Sequence, residues 1–274
     1  MQTVGLVLSG GGARAIAHLG LLQLMDEMSI KPGVISGVSA GAIIGALYAS
    51  GMAPKQILDV VKENNSLAKI VLSSGGLFTA TGLQQILNSA LPMDDFDRLS
   101  VPLYVTATDM ISGTSVTFSK GQLIDVLIGS SSVPVLFTPK KHGRQYLVDG
   151  GVLNNLPAEC LVGKCDKIIG SHVNRRYKPA KNLDRLHVFD QCFHMAIAKN
   201  VAQNSALCDI LFEPELDKYS MFDIKYADRL FELGYQTAKE NKALTMLAET
   251  VHQQTFEFIP QVNMVNDDNS QLKT

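Results

Sequence analysis

Twice within its first fifty residues the chain passes from a short apolar run, through a glycine cluster, into a stretch with helical spacing. Thr3 to Leu8 reads as a buried strand, Ser9-Gly10-Gly11-Gly12-Ala13 as a loop, and Arg14 to Met28 as a helix with Ile16, Leu19, Leu22 and Met25 along one face. Val34 to Gly37 is a second strand and Ala40 to Ser50 a helix of small residues. Apolar strands that alternate with helices need cover on both faces. The pattern therefore predicts an α/β fold of three layers, with a mainly parallel central sheet flanked by helices.

The alternation continues downstream. Pro54 opens a helix at a first-turn position, and "GLFTATGLQQILNSAL" is mixed loop and helix. Pro102 to Asp109 and Ser115 to Ser119 are strands around a Ser112-Gly113 turn, and Gln122 to Ser130 is helical. "VPVLFTPKK" (133–141) is irregular, Tyr146 to Val148 leads into Asp149-Gly150-Gly151, Pro157 begins a helix, and Lys167 to His172 is a strand. Asp190 to Leu207 and Tyr226 to Glu249 read as long helices. No long linker interrupts the sequence, so residues 1–260 are expected to form a single domain and residues 261–274 a polar, frayed tail.

Composition removes several classes of function. A net charge of -2 without basic runs leaves no footprint for nucleic acid. Cys160, Cys165, Cys192 and Cys208 lack zinc-knuckle spacing and are expected to be buried free thiols in a reducing compartment. The N-terminus has no basic region ahead of its apolar run, and no apolar stretch reaches membrane-spanning length. The expectation is a soluble cytoplasmic protein, peripheral to a membrane if its substrate lies there.

The chemistry centres on Gly37-Val38-Ser39-Ala40-Gly41. Glycines two positions either side of a serine permit a sharp strand-to-helix turn that lifts its hydroxyl clear of the sheet. A serine reacts only if a base takes its proton and donors hold the oxyanion that forms. Gly10, Gly11 and Gly12 expose backbone amides that suit such donors. A dinucleotide loop is the rival, through Gly10-x-Gly12-x-x-Ala15, but it lacks the acidic residue at a strand end some twenty residues on. Arg14 either positions a phosphate, braces the loop or lies solvated. Asp149 follows a strand and precedes two glycines, where it either takes the serine proton or caps a turn. The competing arrangement is a Ser-His-Asp esterase, for which His172, at a strand end, is better placed than His187, His194 or His252. His18 packs on the first helix, and His142 lies in a solvated Lys-Lys-His-Gly-Arg loop. Lys55, Lys62 and Lys69 among Ile57, Val60, Val61 and Leu72 form either a membrane-facing surface or, preferably, a helix packed on the core.

Gly10 to Arg14, Gly37 to Gly41 and Asp149-Gly150-Gly151 together resemble the patatin-like phospholipases in order and setting. "GSSSVPVLFTP" and "VPLYVTATDMISG" strengthen the likeness, which spans about residues 4–175. The resemblance implies a lysophospholipase-like fold, Ser39 as nucleophile, Asp149 as its base without histidine, and the amides of Gly10, Gly11 and Gly12 as oxyanion donors. It implies a phospholipid or lysophospholipid substrate and neither metal nor cofactor. An acyltransferase using the same serine is the alternative. Ala15 departs from the family's usual glycine and bears on substrate range. The apolar C-terminal helices either bury a homodimer interface or complete the core.

Overall fold

The computed structural model describes residues 2–64, 81–175 and 185–257. Its strands are β1 (Val4–Leu8), β2 (Pro32–Val38), β3 (Leu103–Asp109), β4 (Thr114–Phe118), β5 (Lys140–His142), β6 (Gln145–Asp149), β7 (Lys167–Ser171) and β8 (Ile210–Phe212). They form an eight-stranded sheet in the order β5-β6-β3-β2-β1-β7-β8, with β4 added to β3. The β2–β3, β1–β2, β1–β7 and β7–β8 pairs are parallel. Central β1 is buried along its whole length, as a strand covered on both faces must be.

The helices are α1 (Ala17–Glu27), α2 (Ala40–Ala49), α3 (Pro54–Glu63), α4 (Thr81–Ala90), α5 (Leu123–Ser130), α6 (Arg185–Ser205), α7 (Ala227–Lys239) and α8 (Lys242–Glu257). One large core cluster joins β1, β2 and β3 to α1, α2, α5 and α7 through Leu6, Leu8, Leu22, Ile35, Leu47, Leu103, Leu127 and Leu230. A smaller cluster on the other face gathers Val7, Val34, Leu156, Ile168, Ile197 and Val201. The three-layer α/β architecture is therefore present.

One junction positions the site. β4 occupies one edge of β3 from Val105 to Asp109, so β6, which pairs with Ala107 to Asp109, must use the other edge. That second edge is the one β2 holds as far as Thr106. The C-terminal ends of β2 and β6 thus meet on adjoining stretches of one strand.

Several elements differ from expectation. Residues 12–16 form a 3-10 turn ahead of α1, because the Ala13 amide is drawn to the Met221 carbonyl at 2.8 Å. Pro157 opens no helix, and only a 3-10 turn at Glu159–Leu161 precedes Gly163, at φ +75°. The single helix expected over Tyr226 to Glu249 is two, because the Asn241 side chain accepts from the amides of Ala243 and Leu244 and starts a new one. The end of "VPVLFTPKK" forms β5, and the Lys-Lys-His-Gly-Arg loop is a hairpin in which His142 packs edge-on against Phe118. Strand β8 was not expected. All four cysteines are free, but none is fully buried: Cys160, Cys165 and Cys208 are half-buried and Cys192 is exposed. The tail at 261–274, Lys69 and Leu72 lie outside the described residues.

Candidate active site

Ser39 sits between β2 and α2 at φ 54°, ψ −131°. A non-glycine residue there stores backbone strain of about 1–3 kcal/mol. The flanking glycines are steric requirements. A Cβ on Gly37 would lie 2.8 Å from the Ala42 Cα, and one on Gly41 would lie 2.5 Å from the Leu8 carbonyl oxygen. The Ser39 amide donates to Ser130 Oγ at 2.8 Å, and that hydroxyl donates to the Thr106 carbonyl at 2.6 Å. Ser130 thereby ties the turn to β3.

Asp149, the last residue of β6, brings Oδ2 to 2.6 Å from the Ser39 Oγ, which donates to it. Its other oxygen accepts the Gly151 amide at 2.8 Å, and its own amide donates to the Ser132 carbonyl at 2.9 Å. The serine run thus holds both partners, Ser130 through its side chain and Ser132 through its backbone. Asp149 is 1% exposed. Burial lifts its pKa to about 6, against the opposing pull of the bonds from Ser39 and Gly151.

The glycine loop runs beside Ser39. A Cβ on Gly10 would approach the Ser39 Cβ to 3.1 Å. The Gly10 carbonyl accepts from Asn174 Nδ2 at 2.6 Å and from Asn155 Nδ2 at 3.5 Å. Because a trans peptide sets the next N–H opposite its carbonyl, the Gly11 amide is aimed away from both asparagines. Among the described residues, the amides of Gly10, Gly11 and Gly12 meet no acceptor. Arg14 is 6% exposed and donates to the Tyr219 carbonyl at 3.2 Å, the geometry of a loop brace. Ala15 is buried in the core cluster and does not line the cavity described next.

Ser39 opens into a cavity of about 290 Å³ with almost wholly apolar walls. α2 contributes Ala40, Ile43, Ile44 and Leu47, a stripe at helical spacing, and α3 contributes Val60 and Val61. Leu83, Ile86 and Leu87 close it from α4, and Val133, Leu136, Phe137, Met221, Phe222 and Ile224 from two loops. α3 is a core-packed helix whose Lys62 pairs with Asp228 at 2.7 Å. Sequence reasoning missed the cavity, the asparagines and the 219–224 segment. The stripe at 40, 43, 44 and 47 was a usable signal, but α2 is apolar on every face.

No histidine among the described residues lines the cavity. His18 is buried, with Nε2 at 2.8 Å from the Ser9 carbonyl and Nδ1 at 2.6 Å from Ser171 Oγ. The carbonyl requires a proton on Nε2, so Nδ1 accepts from the serine. Burial holds its pKa down at about 4. His172 turns its Nδ1 to Glu213 at 2.9 Å and lowers that carboxylate's pKa.

The sequence model of the patatin-like phospholipase family matches residues 6–162. An uncharacterised NTE family protein of Mycobacterium tuberculosis is 24% identical over 268 residues, covering 87% of this chain and 46% of its own length. Patatin-like phospholipase domain-containing protein 7 of Rattus norvegicus is 26% identical over 275 residues, covering 86% of this chain and 20% of its own. The chain thus spans less than half the length of these curated relatives. The crystal structure of VipD from Legionella pneumophila aligns with a TM-score of 0.52 at 17% identity, covering 88% of this chain and 66% of that one, a likeness of fold.

Proposed function

The chain belongs to the patatin-like phospholipase family, and from that premise we propose that it is a serine acyl hydrolase of phospholipids or lysophospholipids, working through Ser39 and Asp149. The observation that carries this reading is the 2.6 Å bond between the Ser39 hydroxyl and the Asp149 carboxylate at the mouth of an apolar cavity. The cavity takes a fatty acyl chain, each buried methylene contributing about 0.8 kcal/mol.

The Asp149 carboxylate takes the Ser39 proton as Oγ attacks the ester carbonyl. The tetrahedral oxyanion faces the amides of Gly10, Gly11 and Gly12 and the positive N-terminus of α2, donors fixed before the reaction begins. Collapse expels the alcohol, which leaves with the proton held on Asp149. Water then attacks the acyl-serine, gives a proton to Asp149, and the second collapse returns that proton to Ser39 and frees the fatty acid. A carboxyl with a pKa of about 6 suits a general base, being ionised at neutral pH yet more basic than an ordinary aspartate.

The test is hydrolysis of a lipid panel, with fluorophosphonate labelling alongside. Ser39→Ala and Asp149→Asn are each expected to lose about two orders of magnitude or more in rate. The probe is expected to label wild type and spare Ser39→Ala. Full activity in Asp149→Asn would remove the carboxylate from the scheme.

A further inference from the structure

Val135 is the third residue of a β-turn built on Pro134 and closed by the Leu136 amide on the Val133 carbonyl at 3.2 Å, a position that glycine or asparagine fills without strain. It is 73% exposed at φ 71°, a backbone region that β-branched residues avoid. Its neighbours explain themselves, since Val133 and Leu136 are buried and with Phe137 wall the cavity. Val135 alone on this segment is held outward at the expense of strain.

We propose that the end of the sheet carrying Ser39 docks on an anionic phospholipid bilayer, through Val135, Met110, Ile111 and Tyr146 with Lys141 and Arg144 on the rim. The proposal deepens the lipid hydrolase reading and rests on it for the choice of a bilayer as partner. The loop bearing Val135 is anchored twice on β6: the Ser132 carbonyl holds the Asp149 amide, and Lys140 pairs with Leu147. Val135 therefore stands on a short excursion beside the catalytic carboxylate. β6 runs antiparallel to β3, so the Gly143-Arg144 hairpin tip and the Met110–Gly113 turn both project past the sheet end where β2 delivers Ser39. The Met110 amide donates to the Tyr146 carbonyl at 2.9 Å and fastens these two projections together. Ile111 is 69%, Met110 57% and Tyr146 42% exposed.

Charge selects the partner. Lys141 and Arg144 are exposed on the hairpin, whereas Lys140 is engaged by Asp125 at 2.6 Å. Asp109 is buried and its carboxylate is taken by the amides of Ile111, Ser112 and Tyr146. The acids Glu213, Glu215 and Asp217 follow β8, at the opposite edge of the sheet. Apolar tips rimmed by cations match an interface of acyl chains beneath anionic headgroups.

The chain contains no tryptophan, so one introduced indole reports without background. Val135→Trp and Val162→Trp are made in the full chain carrying Ser39→Ala, which leaves the vesicles intact. Val162 is 54% exposed and precedes the start of β7, at the far end of the sheet. With vesicles of phosphatidylglycerol and phosphatidylcholine, Val135→Trp is expected to shift to the blue and to be quenched by brominated acyl chains, and Val162→Trp to do neither. Pure phosphatidylcholine is expected to give a weaker response. In the active protein, Ile111→Asp with Lys141→Glu and Arg144→Glu is expected to slow hydrolysis of vesicle lipid about tenfold or more, with turnover of a soluble short-chain ester unchanged. An unresponsive Val135→Trp, equal responses from both indoles, or unchanged vesicle hydrolysis overturns the proposal. Loss of soluble-ester turnover assigns these residues to the site instead and overturns it too. If wild type cleaves no ester yet Val135→Trp still shifts, docking stands and the hydrolase reading falls.

Discussion

Val38 and Asp149 lie end to end on one edge of β3, opposite Thr106 and Ala107 respectively. Ser39 follows Val38 directly, so its hydroxyl reaches a carboxylate 110 residues away in the chain without help from either loop's length. Gly150 makes the junction possible, because a Cβ there would come within 2.5 Å of Val38 Cγ2. The pair is thus set by strand register in a rigid sheet, the kind of support that holds reacting groups in place.

Asp149 is expected to trade stability for activity. Its folded pKa of about 6 exceeds the usual 3.8, so its contribution to stability is full below the lower value and is lost as pH rises through the higher one. At pH 8 the buried charge costs about 3 kcal/mol, taking ~1.4 kcal/mol per unit. Asp149→Asn, which keeps a donor for Ser39 and an acceptor for Gly151, is therefore expected to be inactive yet to melt a few degrees higher than wild type at pH 8, by calorimetry. Wild-type kcat/KM is expected to rise with pH through about 6 and then level off. A melting point lowered by Asp149→Asn counts against the cost assigned to this charge.

The parts of this site that were legible in the sequence are those whose backbone leaves little choice. Ser39 at positive φ, with Gly37 and Gly41 packed on the main chain, leaves a local pattern. Asp149 is likewise marked by its two glycines. The three-residue strands β5 and β8 leave none, since each exists only through its partner. Asn174, Met221, Phe222 and Ile224 were invisible for the same reason and lie beyond the stretch that matches the family. Asn174 and Met221 reach the glycine loop by tertiary packing, through the Gly10 carbonyl and the Ala13 amide. The break at Asn241 was missed as well, since helical periodicity continues on both sides and the cap shows only in its bonds from the Ala243 and Leu244 amides.

Asn174 is expected to act through the Gly10 peptide rather than on the substrate. By donating to that carbonyl at 2.6 Å it fixes and polarises the unit whose N–H belongs to Gly11. Among the described residues, Asn174→Ala leaves that carbonyl only the 3.5 Å contact from Asn155. The expected result is kcat lowered about tenfold, ~1.4 kcal/mol, with KM nearly unchanged and a boronate transition-state analogue bound correspondingly more weakly. A purely structural role would lower the melting temperature and leave that split unmoved.

Leu47 is expected to set how long an acyl chain the cavity accepts. From Ser39, Ile43 and Leu47 follow at four-residue intervals along one face of α2, so they stand ~6 and ~12 Å down the helix axis. Leu47→Trp fills the deep end while leaving the reacting groups alone. Short-chain esters are expected to turn over at the wild-type rate, and long-chain substrates to lose about 10-fold or more, consistent with ~1–3 kcal/mol for each displaced methylene. Equal losses for both chain lengths would mean that the chain lies elsewhere.

His18 and Asp149 are expected to oppose each other in acid. His18 has a folded pKa of about 4 against the usual 6.5, so its stabilising contribution is full above the higher value and is lost as pH falls towards the lower. Over pH 4 to 6 the Asp149 contribution moves the other way, since protonation relieves its buried charge. Urea unfolding of wild type is therefore expected to give a shallow dependence on pH across this window as far as these two groups decide it. Asp149→Asn removes one side of the balance and steepens the loss on acidification, towards ~3 kcal/mol between pH 7 and 4. His18→Gln, whose amide can donate to the Ser9 carbonyl, removes the other side, so that stability is expected to rise as pH falls from 6 to 4. The same acid limb in all three proteins would place the titrating groups outside this pair.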